Sequence, residues 1–236
     1  MKLLSRISAF LPLAVSLIWL QFLPDRVPIH FDVSGNIDRW GSKWEHLIMP
    51  GIVLILGLIF LLLARYELKK GAGNEKALAH AKANQKVLQI AMIATGVLFA
   101  AMQGVLLYSA SREASENAAK SSVELSRVTV FGFGVLYIIL GNYLPRAKKN
   151  SYVGFRCGWS MYNDVTWLKT NRFAGWISIL TGVLIVLCAI LLPGTWVMIS
   201  FLILLGFSLV ISLVYAAKVY QKEKKEAYAD GSNPHG

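Results

Sequence analysis

Two stretches hold most of the side chains that could do chemistry. The first, 23–44, carries Asp25, Arg26, His30, Asp32, Asp38, Arg39 and Trp40 among Pro24, Pro28 and Gly35. Carboxylates around an imidazole can ligate a divalent cation, here through His30, Asp32 and Asp25. They can also pair with charged groups on a ligand. The cation reading is weak, because the next histidine, His46, has no clear ligand spacing to the others. A third reading is a plain connector anchored by tryptophans at headgroup level. The second stretch, 141–176, carries Asn142, Pro145, Arg146, Lys148, Lys149, Asn150, Gly154, Arg156, Trp159, Asp164, Trp167 and Arg172, with seven aromatics from Tyr152 to Trp176. A guanidinium among aromatics wants a carboxylate or phosphate fork, and Asp164 is the nearest carboxylate in sequence. This stretch reads either as a latch on neighbouring helices or as a docking surface for a partner.

No catalytic signature accompanies these groups. A GxxxxGK[ST] phosphate loop, an HExxH pair and a GxSxG elbow are all absent from the sequence, and His80 and His235 are isolated. Cys157 and Cys188 form neither a disulfide framework nor a zinc pattern. No catalytic residue, metal site or cofactor is assigned, and an enzyme is disfavoured.

The elements that must position these stretches are apolar. Six runs, near 7–24, 46–65, 87–109, 128–145, 173–193 and 196–217, are each long enough to cross a bilayer. About 20 residues of helix, at ~1.5 Å each, span the ~30 Å hydrocarbon core. Backbone groups in lipid must be satisfied internally, so the expected fold class is all-α: a polytopic membrane bundle of six transmembrane helices. The spans hold no ionisable residue in their cores; Gln89, Thr95 and Gln103 are the main polar content of the third. That disfavours an ion-coupled pump. Spans one to three and four to six both begin with a helix, Leu-Pro and a long structured loop. An inverted repeat would give this pattern, so a small-molecule or peptide transporter stays as the alternative.

Charge sets the orientation. Of the 24 Lys and Arg residues, eighteen fall in the N-terminus, the second and fourth connectors and the C-terminal tail, and six in the other connectors. The positive-inside rule then places both termini in the cytoplasm, the 23–44 stretch outside and the 141–176 stretch inside. The first run lacks a small-x-small cleavage site and reads as an uncleaved span. The net charge of +11 reads as attraction to anionic lipid headgroups, with no connector long enough for a nucleic-acid module.

The chain divides into a first hairpin (1–65), a third span with its connectors (66–127), a C-terminal membrane module (128–217) and a tail (218–236). In the first loop Ile29, Phe31 and Val33 alternate with His30 and Asp32 before Ser34-Gly35-Asn36. This predicts a short flap, apolar side on the bundle. Asn74 should cap a helix that runs into the third span. Asn163 or Asp164 should cap one that runs into the fifth, placing Trp167 and Asn171 on one face above Gly175. The third connector, 111–126, is polar and helix-compatible.

At this point two resemblances are carried by the residues themselves. Leu23 to Lys43 resembles a bacterial membrane domain of unknown function with the pattern LPxxxPxHF…G…D…W…K. Gly141 to Gly175 resembles the signature of the SdpI family of toxin-immunity proteins, GNxLP…N…G.R..W…W…T.R..G. Gly158 and Asn171 depart from that pattern, which usually has Pro and His there. The resemblance implies a multi-pass protein of a Gram-positive cytoplasmic membrane, in contact with its lipids, that protects against an extracellular peptide toxin. In some relatives it also implies sensing that toxin and holding a small DNA-binding repressor. The toxin would meet Asp25, Arg26, His30, Asp32, Asp38, Arg39 and Trp40. The inner partner, or latch, would involve Asn142, Pro145, Asn150, Gly154, Arg156, Trp159, Asp164, Trp167 and Arg172.

Overall fold

The computed structural model describes residues 1–32, 34–121 and 123–229. Among these, six helices are long and apolar enough to cross a membrane: α1 (Lys2–Trp19), α2 (Ile48–Gly71), α3 (Glu75–Glu116), α4 (Leu125–Tyr143), α5 (Asp164–Leu191) and α6 (Gly194–Ala229). Between α1 and α2 lies an antiparallel hairpin of β1 (Arg26–Phe31) and β2 (Ile37–Ser42). The all-α membrane bundle expected from sequence is therefore observed, with one small sheet at one end. Large apolar side chains such as Ile55, Leu62, Leu202, Ile203 and Phe207 point outward from α2 and α6. Faces this apolar need lipid rather than water around them.

The helix ends show why the chain breaks where it does. Asn74 Oδ1 accepts the Ala77 N–H at the start of α3. Asn163 and Thr166 form a reciprocal capping box at the start of α5, which makes Asn163 the cap and Asp164 the first helical residue. The first helix is shorter than its apolar run. It ends at Trp19, and Leu20 and Leu23 turn back into a buried cluster with Val27, Leu107 and Ala110. Hydropathy alone could not separate that turn from the span. At the far end of α5, Arg127 from α4 donates to the Ala189 and Ile190 carbonyls while paired with Glu124. A cation there answers the helix's negative end.

The helices pack as two groups of three, α1–α2–α3 and α4–α5–α6, joined along α3 and α4. The groups are built differently: α1 lies most extensively on α3, whereas α4 lies most extensively on α5. On α1, Ser5, Ser8, Ala9, Pro12 and Ser16 form a buried face of small residues. Gly96 of α3 sits against the Ser8 backbone, and Ser8 Oγ donates to the Met92 carbonyl at 3.4 Å. On the other side, Gly134 faces Gly182 and Gly141 faces Gly175. A Cβ built on any of the four would come within 3.0 Å of the opposing glycine's carbonyl oxygen. Seven residues separate the glycines on each helix, so the pairs form one antiparallel seam. With no hydrophobic effect between helices in lipid, such close backbone approach is what holds them together.

The two ends of the bundle differ. One carries the hairpin, with exposed Trp44 and Trp196 at the adjoining helix starts; the other carries the N-terminus, the α2–α3 turn and the long α4–α5 connector. Replacing Gly182 by Leu should cost about 1–3 kcal/mol or more through overpacking. Gly206→Leu, at a position with open space around it, should leave stability unchanged. Thermal unfolding of the detergent-solubilised protein tests this; equal midpoints for the two variants would refute the seam.

Candidate functional site

The hairpin end is a folded cap. Strand pairing sets Arg26 opposite Ser42, Val27 opposite Gly41, Pro28 opposite Trp40, His30 opposite Arg39 and Phe31 opposite Ile37, with irregular register around His30. Val27 is fully buried and, with partly buried Ile29, roots the hairpin on α1 and α3. Val33 lies outside the described residues, so the alternation is seen only through Phe31. At the tip, Asp32 accepts N–H groups from Ser34 and Asn36 and the Asn36 side-chain amide, at 2.8–2.9 Å. Hydrogen bonds from Asn36 hold the Asp32 carboxyl below the usual carboxylate range.

The third connector completes this cap. After α3 ends in a left-handed Asn117, the Ile37 N–H donates to the Ala119 carbonyl (3.0 Å) and the Ser121 N–H to the Gly35 carbonyl (2.8 Å). The helical expectation for 111–126 therefore holds to Glu116 and again from Leu125, where α4 starts; between them, residues 119–121 pair with the hairpin tip. A short polar run gives no warning of that long-range pairing.

The charges of the cap take partners distant in sequence. Asp25 pairs with Lys43 (3.1 Å), His30 Nδ1 with Asp38 Oδ1 (2.7 Å) and Arg39 with Glu45 (3.4 Å). The adjacent Asp25–Arg26 and Asp38–Arg39 couples do not bond to each other among the described residues. His30, Asp32 and Asp25, the set weighed for a cation, each turn to a different partner and do not converge. His30, Asp38, Arg39 and Arg26 remain exposed, and Trp40 is half-buried. The result is an ordered, charged surface. Lys43 and Glu45, missed from the sequence, hold it in shape; Glu45 also closes a capping box with Ser42.

The α4–α5 connector is folded just as tightly at the other end. The Trp167 indole N–H donates to the Ala147 carbonyl at 2.8 Å. Asn171 Oδ1 accepts the Phe155 N–H at 2.7 Å, while its amide donates to the Trp167 carbonyl. Asn150 accepts the N–H groups of Tyr152 and Val153 and donates to the carbonyls of Lys148 and Val153. Ser160 and Thr166, both fully buried, tie the rest of the turn to the start of α5. Gly154, at φ +125°, lies against the Trp167 ring, where a Cβ would come within 2.7 Å of ring atoms. Only glycine meets both the backbone angle and that contact. Asn84 of α3 accepts the Lys148 N–H (2.8 Å) and fastens the connector to the first helix group. Burial, with Glu67 of α2 nearby, pushes the Tyr152 phenol up to about 12.

The inner residues thus split in two. Asn150, Gly154 and Trp167 form the clasp, and Pro145 packs against Gly175. Asn142, Arg156, Trp159, Asp164 and Arg172 are exposed around it. The expectation that Arg156 is buried against Asp164 is corrected: both side chains are in the open, and no ion pair joins them among the described residues. Of its aromatic neighbours, Phe155 is only partly buried and Trp159 is exposed, so nothing encloses the guanidinium. Asn84, Ser160, Thr166 and Asn171 carry the clasp and were not among the site residues expected from sequence. The signals available were the cap at Asn163 and the spacing that puts Asn171 on one face with Trp167. Asn171→Ala leaves the Phe155 N–H without its acceptor and should cost about 1–3 kcal/mol. Amide exchange across 150–162 should speed up strongly in that variant and stay unchanged in Arg156→Ala. Equal protection in both would show that the clasp does not depend on Asn171.

Comparison with known proteins finds two matching segments. Residues 7–54 match DUF1648, a domain of unknown function, and residues 146–216 match the SdpI/YfhL protein family. The chain is 25% identical over 221 residues to the immunity protein SdpI of Bacillus subtilis (strain 168), covering 94% of this chain and 96% of that one. It is also 37% identical over 59 residues to an uncharacterized protein of Archaeoglobus fulgidus, covering 22% of this chain and 32% of the other. No solved structure matches. The hairpin cap and the clasp thus lie within or beside the two matched segments, and the chain is a multi-pass membrane protein in which a segment similar to DUF1648 is followed by one similar to the SdpI/YfhL family.

Proposed function

We propose that this protein is a membrane immunity protein that binds or neutralises an extracellular antibacterial peptide toxin. The observation that carries the reading is similarity along nearly the whole length to a protein named for immunity. The charge asymmetry supports a cytoplasmic-membrane location with both termini inside. In that orientation the hairpin cap is the surface a peptide arriving from outside meets first. Its His30–Asp38 and Arg39–Glu45 pairs can exchange their contacts for charges on the peptide.

The inner clasp offers a second surface to the cytoplasm. Arg156, Trp159 and Arg172 are exposed on a rigid frame, a combination that serves docking of a small DNA-binding repressor. The connector joins both helix groups through Asn84 and Asn171, so a toxin-induced shift between the groups would alter it. A ligand moves such a balance only by its differential affinity for the two arrangements. Expression of the protein in a sensitive bacterium should preserve membrane potential when a matched peptide toxin is added. His30→Ala with Asp38→Ala should abolish that protection at unchanged protein levels. Undiminished protection would remove the hairpin from toxin recognition. Substrate flux in proteoliposomes without protection in cells would favour a transporter instead.

A further inference from the structure

Between the two helix groups, α3 and α4 leave a cavity of about 590 Å³ that opens sideways from the bundle. Its walls are almost wholly apolar: Ile90, Ala94 and Val97 on α3, and Val135, Ile139 and Tyr143 on α4. It runs from Ile90 to Ala101 along α3, about 16 Å at ~1.5 Å per residue, close to half of a ~30 Å hydrocarbon core. The groove is therefore about as long as one leaflet is deep, and it starts near the end with the clasp, at Ile90 and Tyr143.

Two cations stand at its mouth. Lys86 lies one helical turn beyond Ile90 on the same face of α3 and is exposed. Arg146 is exposed just past α4, its guanidinium 4.6 Å from the centre of the Tyr143 ring that forms the groove wall. Among the described residues neither has a carboxylate partner.

We propose that this groove holds an acyl chain of an anionic phospholipid from the surrounding leaflet, its phosphate on Lys86 and Arg146. An apolar slot one leaflet deep, capped by two unpaired cations at headgroup level, matches both parts of that molecule. A second copy of the chain is a poor occupant. Neighbouring copies in a membrane share one orientation, so their Lys86 and Arg146 pairs would meet like charge to like charge. The lipid would wedge the joint between the two helix groups and brace it. This reading is independent of toxin binding.

The test is native mass spectrometry of the purified full chain with phosphatidylglycerol or phosphatidylcholine of matched acyl chains. Phosphatidylglycerol should be retained about thirtyfold better, as two cations near the surface warrant. Lys86→Gln with Arg146→Gln should equalise the two lipids. Val97→Trp fills the groove without changing charge; it should lower retention of both, an independent readout should the double variant fail to fold. Equal retention by the wild-type chain would overturn the proposal. So would a preference that survives the double charge change, or retention unaffected by Val97→Trp. Efficient chain-to-chain crosslinking through Val97→Cys in lipid vesicles would assign the groove to a second copy and also overturn it.

Discussion

The constraint that organises this molecule is the absence of water inside the bilayer. Every backbone N–H and C=O at that depth needs a partner within the protein, so the chain crosses only as helix. All irregular backbone is pushed to the two ends. There it can fold freely, and there the sequence concentrates its charges, prolines, glycines and tryptophans. Among the described residues, the hairpin cap and the α4–α5 clasp are the two places where the backbone departs from helix at length. The candidate surfaces for toxin and inner partner consequently lie there.

The two ends are built by the same device in different materials. At the cap, Asp32, Glu45 and Lys43 bond to nearby backbone and charge and turn a loop into a fixed surface. At the clasp, Asn150, Asn171 and Trp167 do so with side-chain amides and an indole N–H. At the clasp these holding groups are buried, whereas at the cap they are charged and only partly buried; at both ends further charged groups stay exposed on the frame. Between the ends run packed helices with the glycine seam on one side and the small-residue face of α1 on the other. The weakest joint is the one between the groups, where α3 and α4 part to leave the lateral groove. Any change passed from one end to the other has that joint as its natural hinge.

Much of this was legible in the sequence. Hydrophobic run length gave the six spans. Side-chain oxygens at Asn74 and Asn163 marked two helix starts, and the alternation at Ile29 and Phe31 anticipated the flap. What stayed hidden depends on contacts distant in sequence. Nothing local shows that 119–121 pairs with the hairpin tip, that Asn84 fastens Lys148, or that Gly134 and Gly141 meet Gly182 and Gly175. The end of α1 at Trp19 was hidden because Leu20 and Leu23 are buried by the hairpin and read the same as residues in lipid. Arg156 misled for a related reason: aromatic neighbours in sequence do not bury a side chain when they are themselves partly or fully exposed, as Phe155 and Trp159 are.

The claim on which the functional account rests is that the hairpin faces the exterior and the clasp the cytoplasm. On a background with Cys157 and Cys188 replaced by serine, single cysteines at Asn36 and Arg156, both exposed, report the side directly. A membrane-impermeant thiol reagent applied to intact cells should modify Asn36→Cys at once and Arg156→Cys only after permeabilisation. Modification of Arg156→Cys in intact cells, with Asn36→Cys protected, would invert the molecule and contradict the account.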